Sequence, residues 1–288
     1  MLFNSIEFVV FILFFIPLYF FFKGRQRLWV VLISSYVFYG WWDFRFLLLI
    51  WMLTGINYYC GLRIAAVKSK KEKKLPLVIS IVSSLSILGF FKYYNFFAEN
   101  ISGLLHLVGL GSGFNFVNII LPVGISFYVF QTLSYTIDIY NGKMNPEQSL
   151  LNFSVFVAFF PQLVAGPIVR ASNFMPQISS DRVYKSSDVI NGLYLIAWGY
   201  FLKVVIADSL ANVVDIRFNN IESQNSLSML IGVIFYSFQI YGDFAGYSLI
   251  AIGLARVFGY KFPVNFNRPY FSTNFSDFWQ RWHISVVV

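Results

Sequence analysis

Long apolar blocks alternate with short polar stretches from one end of the chain to the other. A helix needs about 20 apolar residues to cross the hydrocarbon core of a bilayer, so the blocks read as membrane-spanning segments. The pattern predicts spans near Glu7–Phe22, Leu28–Trp42, Phe46–Ala66, Leu75–Phe97, Val117–Tyr140, Val189–Ala207 and Leu227–Ala245. Two shorter blocks differ. Leu150–Ile168 carries Pro161, Gly166 and Pro167, and such residues are tolerated at membrane depth where the backbone is buried in protein or lines a wet cavity. FFPQLVAGP is therefore predicted to be a re-entrant or broken helix. Gly246–Phe258, with Gly253 and Arg256, is predicted as a helix lying along the interface. The fold class that follows is all-α, a polytopic integral membrane protein with about 7–9 transmembrane or re-entrant helices.

The charges orient these segments. Lys23, Arg25 and Arg27 follow the first block, and Lys68, Lys70, Lys71, Lys73 and Lys74 follow the third. Cytoplasmic loops carry the excess of Lys and Arg, and the two clusters agree in parity, so the N-terminus is predicted outside. The Asn100–Asn115 and Asp208–Ser226 loops then fall outside. Asn141–Ser149 and Arg170–Lys185 fall inside, and Asn265–Ser285 is cytoplasmic or dips into a cavity facing the cytoplasm. The last of these steps depends on Leu150–Ile168 re-entering rather than crossing. The first block has no basic stretch before it and a basic one after it, the order of a retained first helix and not of a cleaved leader. The lysine run KSKKEKK reads as a solvated loop that fixes topology, with contact to anionic lipid as a second possibility.

Composition agrees with this picture. The residues are 58% hydrophobic and 12% charged, against roughly 25% charged in a soluble domain. The net charge of +8 lies in short loops and makes no soluble basic face, so nucleic acid is excluded as a partner and membrane lipid is expected. The one cysteine, Cys60, forms no internal disulfide and reads as inert packing. No Cys/His spacing indicates a metal site.

Chemistry concentrates in Asn265–Ser285, NFNRPYFSTNFSDFWQRWHIS. Polar groups near hydrocarbon are costly and are the first place to look for function. His283 has an ordinary pKa of about 6.5 and suits proton transfer near neutrality. Arg268 and Arg281 suit an anionic group such as a phosphate, Asp277 lies between them, and Trp279 and Trp282 offer flat, water-excluding faces. An interfacial belt anchoring a helix end accounts for the same residues. Gln239 and Asp243 are four apart and share a helix face; Asp243 is expected to face the protein interior with a partner, either orienting His283 or a backbone amide. The bland reading there is helix packing through Gly242 and Gly246. Gln131, Tyr135 and Asp138 line a third helix face, Lys203 and Asp208 close another helix, and His106 reads as an amphipathic loop residue.

Taken in order, LPVGISFYVFQTLSYTIDIY, FVAFFPQLVAGPIVR, GYFLKVVIADSLA, FQIYGDFAGYSLIAIGLA and the closing NFNRPYFSTNFSDFWQRWHIS resemble the membrane-bound O-acyltransferase family. The similarity is to its bacterial branch, which includes alginate O-acetyltransferases and the D-alanyl-transfer protein of teichoic acid synthesis. The resemblance implies one membrane-embedded domain over 1–288, with a ring of helices around a central cavity. It implies a cytoplasmic acyl thioester, acetyl-CoA or acyl carrier protein, as co-substrate and no bound cofactor. It also implies transfer to a cell-surface polysaccharide with an extracytoplasmic, SGNH hydrolase-like partner protein, at the cytoplasmic membrane. His283 matches the family's WHIS histidine and is the catalytic candidate; Gln131, Gln239, Asp243, Asp277, Arg281 and Trp282 are candidates for lining the pocket or tunnel. Family members carry a second Trp-His motif further on, with the histidine usually regarded as the principal catalytic residue. The chain is therefore expected to be incomplete at its C-terminus and inactive alone. A non-enzymatic export or transport subunit for such a polysaccharide fits the broken helices and buried acids as well.

Overall fold

Ser5 caps the first helix by accepting from the Phe8 amide, and α1 (Ile6–Phe21) follows, apolar on every side. The computed structural model describes residues 1–109, 117–164, 166–180 and 184–287. Among them every regular element is helical, apart from one isolated antiparallel bridge. α2 (Gly24–Asp43) and α3 (Leu47–Ala66) have 20 residues each and are joined by a 3-10 turn over Phe44–Phe46 that Asp43 caps. α4 (Lys70–Leu107) has 38 residues, about 57 Å of helix. α5 (Ile125–Tyr140), α6 (Leu150–Ala158), the single turn α7 (Phe160–Leu163) and α8 (Ala171–Ser179) are short. α9 (Ser186–Tyr200), a π-helical segment over Phe201–Ala207 and α10 (Asp208–Phe218) form one continuous stretch. α11 (Ser226–Val257) has 32 residues, and α12 (Phe275–Arg281) and α13 (Ile284–Val287) close the chain.

Several sequence expectations change. The lysine run is not a loop: Lys70, Lys71, Lys73 and Lys74 make the first turns of α4, because solvated lysine is a good helix former. His106 sits in the last turn of that helix rather than in a loop; residues 110–116 of the loop predicted there lie outside the described residues. Val117–Tyr140 is helical only from Ile125, since Pro122 and a left-handed Gly124 precede it. Gly246–Phe258 is no separate helix but the second half of α11. The break in Leu150–Ile168 falls at Phe159, where Pro161 withholds the amide that would continue α6.

The chain forms two compact units. Unit 1 holds Met1–Trp42, Phe159–Val169 and Pro176–Val288. Its core is aromatic: Phe11 and Phe15 meet Phe160 edge-on at 5.1 and 5.2 Å, Phe15 meets Phe258 at 5.0 Å, and the Tyr19 hydroxyl donates to the Phe258 carbonyl at 2.6 Å. α9 and the π segment pack on α11 along a glycine seam. A Cβ on Gly246 would stand 2.8 Å from the Gly199 carbonyl, and one on Gly253 would stand 2.6 Å from that of Gly192. The small-residue reading of Gly242 and Gly246 therefore describes the contact correctly.

Unit 2 holds Asp43–Ala158 and Arg170–Met175. Asn57, Ser80, Ser84 and Thr136, all fully buried, join α3, α4 and α5. Ser80 donates to Asn57 Oδ1 at 2.6 Å and shares a 2.8 Å bond with Thr136, and Asn57 donates to Ser84 at 3.2 Å. Polar groups satisfied inside an apolar bundle hold helices in register.

Four helical stretches among the described residues are long and apolar enough to cross a membrane: Gly24–Ala66, Lys70–Leu107, Ser186–Phe218 and Ser226–Val257. In the last two only 11% of the most apolar window is buried inside the protein. Apolar surface on that scale belongs against hydrocarbon and not water.

Candidate active site

Asn265–Ser285 folds back on itself into a clasp. Phe266 and Trp282 pair as the isolated bridge, the Asn267 amide donates to the Arg281 carbonyl at 2.9 Å, and the Ile284 amide donates to the Asn265 carbonyl at 2.9 Å. Between the two arms, Asn274 caps α12 by accepting from the Asp277 amide at 2.9 Å. The Asp277 carboxylate accepts from the Thr273 amide and from Arg281 Nε, the latter at 2.7 Å. The hydrogen bond from Arg281 holds the Asp277 carboxyl below the usual carboxylate range. Arg281, expected to wait for an anionic ligand, is thus engaged within its own helix, one turn from its partner.

His283 lies at the end of this clasp with φ of 51°, a left-handed conformation costing a non-glycine residue roughly 1–2 kcal/mol. Its half-buried ring packs against Phe244 of α11 at 4.7 Å and Phe266 at 6.3 Å. Burial lowers its pKa from the ordinary value, because an imidazolium is poorly solvated there. Trp282 stacks on Phe278 at 5.6 Å and meets Phe266 edge-on at 5.0 Å. The Tyr270 hydroxyl donates to the Ser237 carbonyl and ties the clasp to α11. A cavity of about 370 Å³ opens beside α12, lined by Ser272, Thr273, Asn274, Phe275, Phe278 and Trp279; His283 is not in its wall.

α11 carries the other two candidates of this unit. Asp243 has its expected partner, but that partner is Lys203: the ammonium lies 2.6 Å from Asp243 and 2.7 Å from Asp208. Asp243 therefore neither orients His283 nor caps a backbone amide. Lys203 sits in the π-helical segment, a distortion that re-aims side chains and recurs at functional sites. One turn before Asp243, Gln239 holds a buried Oε1 with no hydrogen-bond partner among the described residues. Gln131 belongs to unit 2, where it is buried and donates to the Phe156 carbonyl on α6. Asp138, also in unit 2, accepts from Ser172 at 3.4 Å. Asp277, Arg281, Trp282 and His283 thus meet in one clasp, Gln239 and Asp243 stand on the helix behind it, and Gln131 serves another unit. The sequence left Asn265, Ser248 and Ser285 unmarked, since a small polar residue carries no signal until its partners are known.

Residues 146–287 match the profile of MBOAT, the membrane-bound O-acyltransferase family. The chain belongs to that family. It is 39% identical to the probable alginate O-acetylase of Pseudomonas aeruginosa over 99% of this chain and 55% of the relative. It is 35% identical to the peptidoglycan O-acetyltransferase of Helicobacter pylori over 90% of this chain and 53% of that protein. Against the teichoic acid D-alanyltransferase of Bacillus subtilis it is 30% identical over 59% of this chain and 43% of the relative. The chain spans about half the length of the curated relatives it matches. The MBOAT match runs from just before α6 to the last described helix, and so takes in the broken segment, the glycine seam and the whole clasp.

Proposed function

We propose that this chain carries an O-acyl-transfer site of a membrane enzyme, with His283 as the base. The observation behind it is a half-buried imidazole, its pKa lowered by burial, held in a costly backbone conformation within the family-matched region. Strained, half-buried titratable groups mark functional sites. The relatives named as acetylases of alginate and peptidoglycan support acetyl as the group moved and a polysaccharide hydroxyl as the acceptor. The donor is a cytoplasmic thioester.

The chemistry needs few parts. His283 takes the proton of the attacking hydroxyl, and the oxygen adds to the thioester carbonyl. The carbon–sulfur bond then breaks, and the imidazolium returns its proton to the leaving thiolate. Aromatic walls from Phe244, Phe266 and Trp282 keep the surroundings poor in water, which strengthens charge interactions at the reacting centre. The free Oε1 of Gln239 is suited to accept from a hydroxyl of the acceptor, and Asp277 and Arg281 brace the clasp. The basic clusters at residues 23–27 and 68–74 support a cytoplasmic side for those junctions, an outside N-terminus and residence in the cytoplasmic membrane. A further proposal is that an extracytoplasmic SGNH hydrolase-like protein receives or relays the acyl group.

Because the chain spans about half of its relatives, transfer is best read in a chimera in which it replaces the matched segment of the Pseudomonas protein. Thioester consumption and O-acetylation in membrane vesicles are the measurements. His283→Ala is expected to lower both by about 100- to 10,000-fold, the usual worth of a general base. Full turnover in that variant would remove His283 from the mechanism.

A further inference from the structure

Asn265 is fully buried, and every polar atom of its side chain is used. Oδ1 accepts from the Ser285 amide at 3.2 Å and from the Ser285 hydroxyl at 2.9 Å, while Nδ2 donates to the Ser248 hydroxyl of α11 at 3.2 Å. Its backbone carbonyl accepts from the Ile284 amide at 2.9 Å. The Ser285 hydroxyl, having given its hydrogen to Asn265, accepts from the Ile168 amide at 3.1 Å. Four of these contacts, three of them made by Asn265, fall on Ile284 and Ser285, the two residues that follow His283.

On the other side of His283, Trp282 is fixed by its bridge to Phe266, and Arg281 by the Asn267 amide. His283 is therefore held from both directions in a conformation an L-residue does not keep unaided. Such strain persists only where the surroundings over-determine it. If the following residues were released, the backbone would relax to negative φ and swing the imidazole away from Phe244.

We infer that Asn265 is a positioning residue for His283, tying the residues after the imidazole to α11 through Ser248 so that the ring stays in place over Phe244. Asn265 itself touches no reacting atom. Its functional meaning rests on the reading of His283 as the base; the coupling between the two residues is testable without it.

The test uses the 288-residue chain in detergent with His106→Gln in the background. The sequence has two histidines, so His283 is then the only imidazole. Diethyl pyrocarbonate acylates accessible, neutral imidazole, and its reaction is followed by ultraviolet absorbance from about pH 5 to 8, the range in which histidine titrates. With Asn265 intact, reaction should be slow, with a midpoint below the ordinary value of about 6.5. Asn265→Ala is expected to speed it roughly tenfold, as local opening allows, and to move the midpoint up to that ordinary value. The charged groups on the surrounding elements, Asp243, Arg268, Asp277 and Arg281, are the same in both proteins, so the shift reports placement of the ring. Ser285→Ala should move rate and midpoint in the same direction by less. The double variant should add little to Asn265→Ala, because the two side chains act through one link.

A folded Asn265→Ala protein, with parental circular dichroism and thermal transition, that reacts at the parental rate and midpoint would overturn the inference. If that variant does not fold, Ser285→Ala decides by the same criterion. Acyl transfer plays no part in this readout, so failure of the proposed function would leave the coupling standing, and the reverse.

Discussion

At the scale of the residue, the lowered pKa of His283 gives stability a direction with pH. A histidine whose folded value lies below its unfolded value binds fewer protons when folded, so protonation favours the unfolded chain. The contribution is intact above the unfolded value of about 6.5 and is lost as pH falls below it toward the folded value. The thermal midpoint should therefore fall on acidification from about pH 7 to 5, and more gently in His283→Gln; identical slopes would show the ring to be solvated. His283 was legible in the sequence because a histidine beside arginine and tryptophan in an apolar chain is conspicuous. Asp243 was half legible: a carboxylate in so apolar a helix demanded a partner, but its identity, Lys203, depends on which face of the π-helical segment meets α11. Asn265 was not legible at all, since its role is the sum of contacts to Ser248 and Ser285.

Among the elements, length and apolarity predicted helices well, and Pro161 predicted a break that occurs two residues earlier. The glycines were more ambiguous. In a sequence, glycine inside a helical block reads equally as a weak point or as a close contact; on α11 the seam with α9 makes it the second. Gly246→Ala places a Cβ 2.8 Å from the Gly199 carbonyl and 2.9 Å from the Lys203 amide, and backbone cannot give way as a side chain does. Such overpacking should cost about 1–3 kcal/mol, read as a lower thermal midpoint in detergent. Gly89 on α4 has nothing within 4 Å of an added Cβ, so Gly89→Ala should leave stability unchanged or raise it by up to the roughly 1 kcal/mol that separates the two residues in a helix, with a midpoint no lower than the parent's. Equal losses at both positions would show that helix propensity, not the seam, governs these glycines.

For the molecule as a whole, the surrounding solvent matters as much as the fold. Phe14 on α1 is 72% exposed, and in a water-soluble protein a charge there would be tolerated. In a membrane, Phe14→Lys places an ammonium against hydrocarbon at about 2.5–3.5 kcal/mol on translocon scales. The fraction of chain resisting alkaline extraction from membranes should drop; unchanged extraction would argue against a lipid-facing α1. The sequence by itself determined the all-α membrane class, the family resemblance and the segment in which the candidate residues gather, because hydropathy, proline and charge act locally along a chain. Tertiary structure alone decided which face of each helix is buried and which side chains meet at the clasp. A helix apolar on every side, such as α1, gives no periodic signal, so only packing against Phe38, Phe160 and Phe258 singles out Phe8, Phe11, Phe15 and Tyr19 as its inner face.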